Sequence, residues 1–302
     1  MLRILVTGAK GFLGSTFKEF ESDKVKIINL PREVDLRNYR SARYAIKIHK
    51  PDVVIHTAGK VGGMALNTKN PVSQYTDNIL INTNVVDAAH HCGVQKLIAF
   101  SSIVGFPVSS VPLDEGMFQT GEPNTLYTSY AYTKRAMDIH IGAYRAQDNA
   151  DFCSVILGNT FGETDNYNLD NAHVVAGLIS KADLAARNKT SLKVWGDGSD
   201  SREFTYYKDV TRICLELAKM NNSLPRRLIV SSGQTFSIKE IAKIVAKKFK
   251  VSKIEWETKQ KLSRVVVGLD NSLLHDYLPN FKFTKVEKAI KDCCNYYINN
   301  RT

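Results

Sequence analysis

The apolar run Ile4-Leu5-Val6-Thr7 ends directly in Gly8-Ala9-Lys10-Gly11-Phe12-Leu13-Gly14, and this junction constrains the chain more than any other feature. Glycines at that spacing let the backbone leave a strand sharply, approach another group closely and enter a helix whose free N–H groups face the turn. Those N–H groups and the positive dipole end receive a pyrophosphate, so the segment fits a dinucleotide. Gly8, Lys10, Gly11, Phe12, Leu13 and Gly14 are the candidate contacts. Alone, such a turn is often merely structural; its place at the head of a βαβ rhythm makes it specific.

That rhythm continues through apolar runs at 26–29, 53–56, 97–101 and 152–157, separated by helix-like stretches at 15–21, 39–50, 75–92 and 130–149. Short buried-strand runs alternating with helices predict an α/β fold, a Rossmann-type doubly wound parallel sheet. After about residue 160 the loops lengthen, with turn clusters at Asp165-Asn166-Tyr167-Asn168 and Gly196-Asp197-Gly198-Ser199 and helices near 173–187 and 237–250. We therefore expect a cofactor domain over 1–160 and a smaller C-terminal α/β substrate lobe over 161–302, with return segments to the first domain allowed.

The formal net charge of +11 raises nucleic acid as a partner, but the cations are dispersed, with modest clusters at Lys247-Lys248 and between Lys259 and Lys261. A small polyanion with two or three phosphates accounts for part of the bias, and no nucleic-acid partner is expected. No apolar run approaches the roughly 20 residues that cross a bilayer, and Met1 leads straight into the first strand. A cytoplasmic protein is expected. Five cysteines without a C-x-x-C pair predict free thiols and no metal site.

An NAD site ends its second strand in Asp or Glu, which takes the ribose hydroxyls; here that position reads Asn29-Leu30-Pro31-Arg32. Arg32 and Lys10 suit a 2′-phosphate, since a guanidinium bonds phosphate oxygens in pairs, and this favours NADPH. The alternative, that both are solvated surface cations, stays open. Asp35 and Leu36 follow where a carboxylate can hold the adenine amine.

Tyr130 and Lys134 stand four apart in Tyr130-Ala131-Tyr132-Thr133-Lys134, on one helix face. An ammonium beside a phenol favours phenolate and lowers its pKa, so the tyrosine can exchange a proton with a carbonyl oxygen. The Y-x-x-x-K spacing is common by chance. It gains specificity from Ser101-Ser102 at the end of an apolar strand about thirty residues earlier, where a hydroxyl can bond the same oxygen.

With these features the chain resembles the extended short-chain dehydrogenases/reductases, and within them the GDP-L-fucose synthase group along nearly its full length. The resemblance is carried by Ala58-Gly59-Lys60-Val61-Gly62-Gly63-Met64, Asn78-Ile79-Leu80-Ile81-Asn82-Thr83-Asn84, Asn159-Thr160-Phe161-Gly162, the Asp165 cluster, His173-Val174-Val175, and Trp195-Gly196-Asp197-Gly198 running on to Arg202-Glu203-Phe204. It implies that Tyr130 donates the proton, Lys134 is its partner and ribose ligand, Ser102 assists, and Ala58 lies beside the cofactor. It also implies a GDP-linked keto-sugar held by Gly62, Met64, Val104, Asn159, His173, Val174, Lys181, Trp195 and Arg202, and a homodimer through the helices at 75–92 and 130–149.

The family epimerises C3 and C5 with a cysteine base and a histidine acid before reducing C4. Counting without gaps from Lys96 to Pro107, the cysteine position is Val104, whose isopropyl group has no lone pair to take a proton. His173 keeps the acid position. Leu157-Gly158, Glu163 and Ala176 also depart from the family's prolines and threonine, and Lys261-Leu262-Ser263-Arg264 lacks the usual Pro-x-Gly, which puts Arg264 in doubt as a diphosphate ligand. The resemblance then narrows to dedicated C4 reductases of GDP-6-deoxy-heptose type in capsule synthesis. Two alternatives remain: a complete epimerase/reductase with a substitute base, and a non-catalytic NADP-binding regulator. A dehydratase would need an acid and base where the chain has Ile103 and Val104.

Overall fold

The computed structural model describes residues 1–62, 67, 69–109, 111–169, 172–258 and 268–301. Strands β1 (Leu2–Thr7), β2 (Val25–Asn29), β3 (Val53–His56), β4 (Lys96–Ser102) and β5 (Asp151–Leu157) alternate with helices α1 (Tyr39–His49), α2 (Pro71–His91) and α3 (Thr128–Asp148). The chain then builds β6 (Asn159–Phe161), α4 (Val174–Arg187), β7 (Leu192–Trp195), β8 (Ser201–Tyr206) and α5 (Tyr207–Lys219). Strand β9 (Arg227–Val230) returns to pair with β5, completing a six-stranded parallel sheet of order β2-β1-β3-β4-β5-β9. The topology is the Rossmann-type one expected from the βαβ rhythm.

The strands read as continuous apolar runs because both sheet faces are covered. Successive side chains point to opposite faces, and the core divides accordingly. Leu5, Val54, Leu97 and Ala99 pack with Ala42, Ile46, Val85, Ala89 and Ile141 of α1 to α3. Ile4, Val6, Val53, Ile55, Ile98 and Phe100 face Phe17 and, from α5, Val210, Ile213 and Leu217. Each fully buried Val, Leu or Ile contributes about 1.5–3 kcal/mol relative to leaving it in water.

Two local departures have physical causes. The segment expected as a helix over 15–21 is a 3-10 helix, Gly14–Phe20. Thr16 Oγ1 donates to the Leu13 carbonyl at 2.8 Å, competing with the backbone ladder, and aromatic or β-branched residues fill three of the seven positions. Helix α2 starts four residues before the expected 75, because Pro71 sits in its first turn, where the missing N–H would have no helical partner.

The second lobe packs α4, α6 (Ile238–Phe249) and α8 (Val286–Asn300) around Phe161, Leu192, Phe204 and Tyr206, with a short α7 (Ser272–Tyr277) returning to β9. Its strands form two small sheets, β10-β8-β6 and β11-β7, with β10 at Thr235–Ser237 and β11 at Ile254–Glu257. A capping box between Ser237 and Glu240 starts α6. All five cysteines are free. Among the described residues no helix is long and apolar enough to cross a membrane, and no cluster of potential ligands could hold a metal ion.

Helix α3 is bolted to β9 by a buried carboxylate. Asp138 takes a two-pronged pair from Arg227, at 2.8 and 2.7 Å, and further bonds from Arg226 and Gln119. Asp138→Ala leaves the largely buried Arg227 uncompensated, so chemical denaturation should report a loss of about 3–5 kcal/mol.

Candidate active site

The connection after β1 leads to β2 on one side and the connection after β3 leads to β4 on the other, and the crevice outside the carboxyl ends of β1 and β3 is where open α/β sheets bind ligands. The glycine turn opens into it. Gly8 has φ of +67°, and a Cβ there would lie 2.7 Å from the Ala58 backbone and 2.8 Å from Thr57 Oγ1. A Cβ on Gly14 would collide with the Gly8 carbonyl. Thr7 Oγ1 accepts the Ala58 N–H at 3.3 Å, and Thr57 Oγ1 donates to the Thr7 carbonyl at 2.7 Å, so the two strand ends are laced together. This cradle, at the N-terminal end of the 3-10 helix, fits a dinucleotide pyrophosphate.

At the adenosine end, Lys10 and Arg32 are both exposed, and Lys10 Nζ stands 3.8 Å from Glu33. Asp35 is bound by the fork of Arg37 at 2.9 and 3.0 Å, which holds its carboxyl below the usual range and directs both oxygens toward Arg37. Leu36 is buried, and its carbonyl accepts from Asn84. Arg37 continues through Asp77 to Lys60, an ion network that sequence reasoning did not find. Gln74 and Asn78 of α2 bind the Lys60 backbone, fixing the segment that leads to Gly62, whose carbonyl accepts from Asn67. Gly63 and Met64 lie outside the described residues, as do Lys259, Lys261 and Arg264.

Tyr130 and Lys134 are brought together on α3, both buried, with the ammonium 5.6 Å from the phenol ring centre. Lys134 Nζ donates to the Phe100 carbonyl of β4 at 2.8 Å. Burial pushes the Lys134 ammonium down to about 8. The phenol is pushed upward by burial, against the depression expected from a neighbouring ammonium, because desolvation outweighs the charge when Nζ is engaged by a carbonyl. Ser102 ends β4 and caps the 3-10 turn Ile103–Gly105, accepting the Val104 N–H at 3.4 Å. Tyr132 points elsewhere, donating to Glu122.

Behind this pair lies a histidine that the sequence did not flag. His56 Nδ1 lies 2.8 Å from Thr7 Oγ1 and Nε2 lies 3.2 Å from Asn82 Oδ1. Because Thr7 also accepts from Ala58, the network is satisfied when Thr7 donates to Nδ1 and Nε2–H donates to Asn82. Burial, aided by the Lys134 charge, holds His56 down to about 3, so it is neutral scaffolding between the glycine turn and α2.

On the opposite wall, His173 precedes α4 and its Nδ1 meets the buried Asp165 carboxylate at 2.9 Å. Its ring lies 6.4 Å from that of Phe12 in the glycine turn. Val174 is half-buried beside it, and Asn159 donates to the Glu203 carbonyl from β6. Trp195 is exposed, not core, with Lys181 Nζ 4.3 Å above its ring. Arg202 is half-buried on β8.

A phenol and an ammonium buried beside a dinucleotide cradle can deliver a proton to a carbonyl that receives hydride, which is the chemistry of the extended short-chain dehydrogenases/reductases, NAD(P)-dependent enzymes. The chain belongs to the NAD dependent epimerase/dehydratase family, whose sequence profile matches residues 4–231. It is 33% identical to the GDP-L-fucose synthase of Dictyostelium discoideum over 98% of this chain and 95% of that one. The solved GDP-L-fucose synthetase of Naegleria fowleri bound to NADP superposes with a TM-score of 0.92 at 28% identity, over 99% of this chain and 93% of that one. The GDP-mannoheptose C4 reductase of Campylobacter jejuni with NADP bound shares the fold, with a TM-score of 0.85 at 23% identity and 98% coverage of each chain.

Two outcomes check this geometry. Gly8→Ala should weaken NADP(H) binding at least tenfold in a fluorescence titration, since its Cβ cannot enter without displacing Ala58. The bond to Asp165 raises His173 above its ordinary 6.5 against the opposing effect of burial. The pair's contribution to stability is therefore complete below 6.5 and lost as pH rises through the raised value. A histidine NMR titration should show a midpoint above 6.5 that Asp165→Asn brings down.

Proposed function

We propose that the protein reduces the C4 ketone of a GDP-4-keto-6-deoxy-sugar with NADPH, without epimerising C3 or C5. The sugar in this reading is a heptose destined for capsular polysaccharide. The observation that carries it is the buried Tyr130–Lys134 pair facing the end of β4, with valine, not a base, at position 104 of the turn that Ser102 caps.

NADPH, when bound across the glycine turn, supplies the hydride. Tyr130 enters the reaction protonated, because burial holds its phenol above the ordinary value, and gives its proton to the C4 oxygen. Lys134, lowered to about 8, still carries charge at neutral pH and stabilises the phenolate left behind. Ser102 orients the carbonyl oxygen and supports the developing alkoxide. Lys10 and Arg32 stand on the adenosine side, where a 2′-phosphate would meet them in place of Glu33 and water. Lys181, Trp195 and Arg202 form the wall offered to the GDP, and Asn159, His173 and Val174 flank the sugar.

The names of the relatives support a GDP-linked sugar, and the heptose rests on the resemblance narrowed by valine at position 104. In this reading residues 1–160 with the returning β9 form the NADP-binding half, and most of 161–302 the sugar-binding half. A homodimer through α2 and α3 is supported by the exposed Val72, Leu80 and Ile139 on those helices. One observation favours a second reading, an epimerase/reductase: His173 is held by a buried carboxylate as an acid would be.

Incubation with NADPH and a GDP-4-keto-6-deoxy-sugar in D2O separates the two. Cofactor oxidation with no deuterium at C3 or C5 of the product, against a control without enzyme, is the expected result. Enzyme-dependent deuterium there would overturn the assignment of Val104, and absence of turnover would overturn the reductase reading for that substrate.

A further inference from the structure

Arg135, next to Lys134, is 5% exposed, yet no carboxylate pairs with it among the described residues; Asp138, one turn on, is taken by Arg226, Arg227 and Gln119. Burying a cation without an opposite charge is expensive, and an apolar side chain of similar length would fill the space at lower cost. What the guanidinium provides is shape. Its planar fork donates to three backbone carbonyls: Nε to Gly105 at 2.6 Å, Nη1 to Gly121 at 2.8 Å and Nη2 to Thr120 at 2.9 Å. A lysine could satisfy one of these at a time.

The placement of those carbonyls matters. Lys134 holds the Phe100 carbonyl and Arg135 the Gly105 carbonyl, so two consecutive residues of the tyrosine-bearing helix grip the two ends of the span that contains Ser102 and Val104. Strand pairing with β5 holds the span as far as Ser102, and beyond it the turn packs on Phe118: Gly105 lies so close to that ring that a Cβ would fall 2.5 Å from it, and the ring belongs to the same loop that Arg135 binds at Thr120 and Gly121. The fork therefore fixes loop, turn and helix in one register.

We infer that Arg135 is a positioning residue for reduction: by fixing the Gly105, Thr120 and Gly121 carbonyls it sets where the Ser102 hydroxyl stands relative to Tyr130. The inference rests on the proposed role of Ser102. It requires that Arg135 act through Ser102 and leave cofactor affinity alone, since neither the glycine turn nor the Lys10–Arg32 end touches the fork.

The test is a double-mutant cycle on the full-length protein with NADPH and a GDP-4-keto-6-deoxy-sugar, using Arg135→Lys, Ser102→Ala and the pair. Arg135→Lys should lower kcat about tenfold to hundredfold, the scale of a misplaced reacting group, with the NADPH dissociation constant within twofold of the parent. In the Ser102→Ala background the same change should have less than a third of that effect. Should the lysine protein not fold, Arg135→Gln, which leaves no charge buried with fewer partners, carries the same cycle. Effects that multiply independently, or an NADPH affinity that falls in step with kcat, would reduce Arg135 to a scaffold residue and leave the proposed function standing. A Ser102→Ala protein with full kcat would instead refute the role of Ser102, and this inference with it.

Discussion

The bond from the buried Lys134 ammonium to the Phe100 carbonyl is the constraint around which the rest of the molecule is arranged. A charge taken out of water needs fixed partners, and here they are a main-chain dipole from β4 and the face of the Tyr130 ring on the same helix. The bond ties α3 to β4 at Phe100, one helical turn from Tyr130. Burial then acts on both groups in opposite senses, raising the phenol and lowering the ammonium, so each sits nearer the neutral form than it would in water.

The sheet supplies the rigidity that such a bond needs. Strands β1, β3 and β4 are adjacent and parallel, and their carboxyl ends carry in turn the glycine turn, His56 with Ala58, and Ser102. Thr7, His56 and Asn82 then tie β1, β3 and α2 through buried polar groups whose donors and acceptors match. A neutral His56 is the correct state for that job: a second cation behind Lys134 would be repelled, and both burial and the Lys134 charge keep it unprotonated.

The framework and the Tyr130–Lys134 pairing were legible because they depend on local pattern. Buried parallel strands write themselves as apolar runs, three glycines mark the turn, and Tyr130 and Lys134 share a helix face through spacing alone. What escaped depends on residues distant in sequence. Arg135 reaches carbonyls 14 to 30 positions away, His56 finds Asn82 across 26, and Asp165 meets His173 only after the intervening loop closes. One local signal did exist: Arg135 and Asp138 share a helix face with Ala131 and Gly142, and two charges on a face of small residues mark buried polar work. Asp35, which by position reads as an adenine contact, also binds Arg37, two residues on, through both carboxylate oxygens, a pairing the spacing did not reveal. For Tyr130 the spacing shows the neighbouring charge, which lowers a phenol's pKa, but not the loss of water around it, which raises it.

The junction between the two halves follows from the same principle of fixing polar groups in pairs. Tyr207 at the start of α5 stacks on Phe12 of the glycine turn, with ring centres 5.2 Å apart, and Gly162 is a glycine because that ring leaves no room for a Cβ. Next to it, Lys208 pairs with Glu19 of the 3-10 helix at 3.0 Å and with Glu163 at 3.4 Å, while Tyr206 donates to the same Glu163 oxygen. Glu163 stands where the resembling group carries proline. A proline could shape the turn after β6 but could not accept from Tyr206 or hold Lys208. With glutamate there, one carboxylate ties β8 and α5 together through Tyr206 and Lys208, and Lys208 carries the link on to the 3-10 helix of the first half.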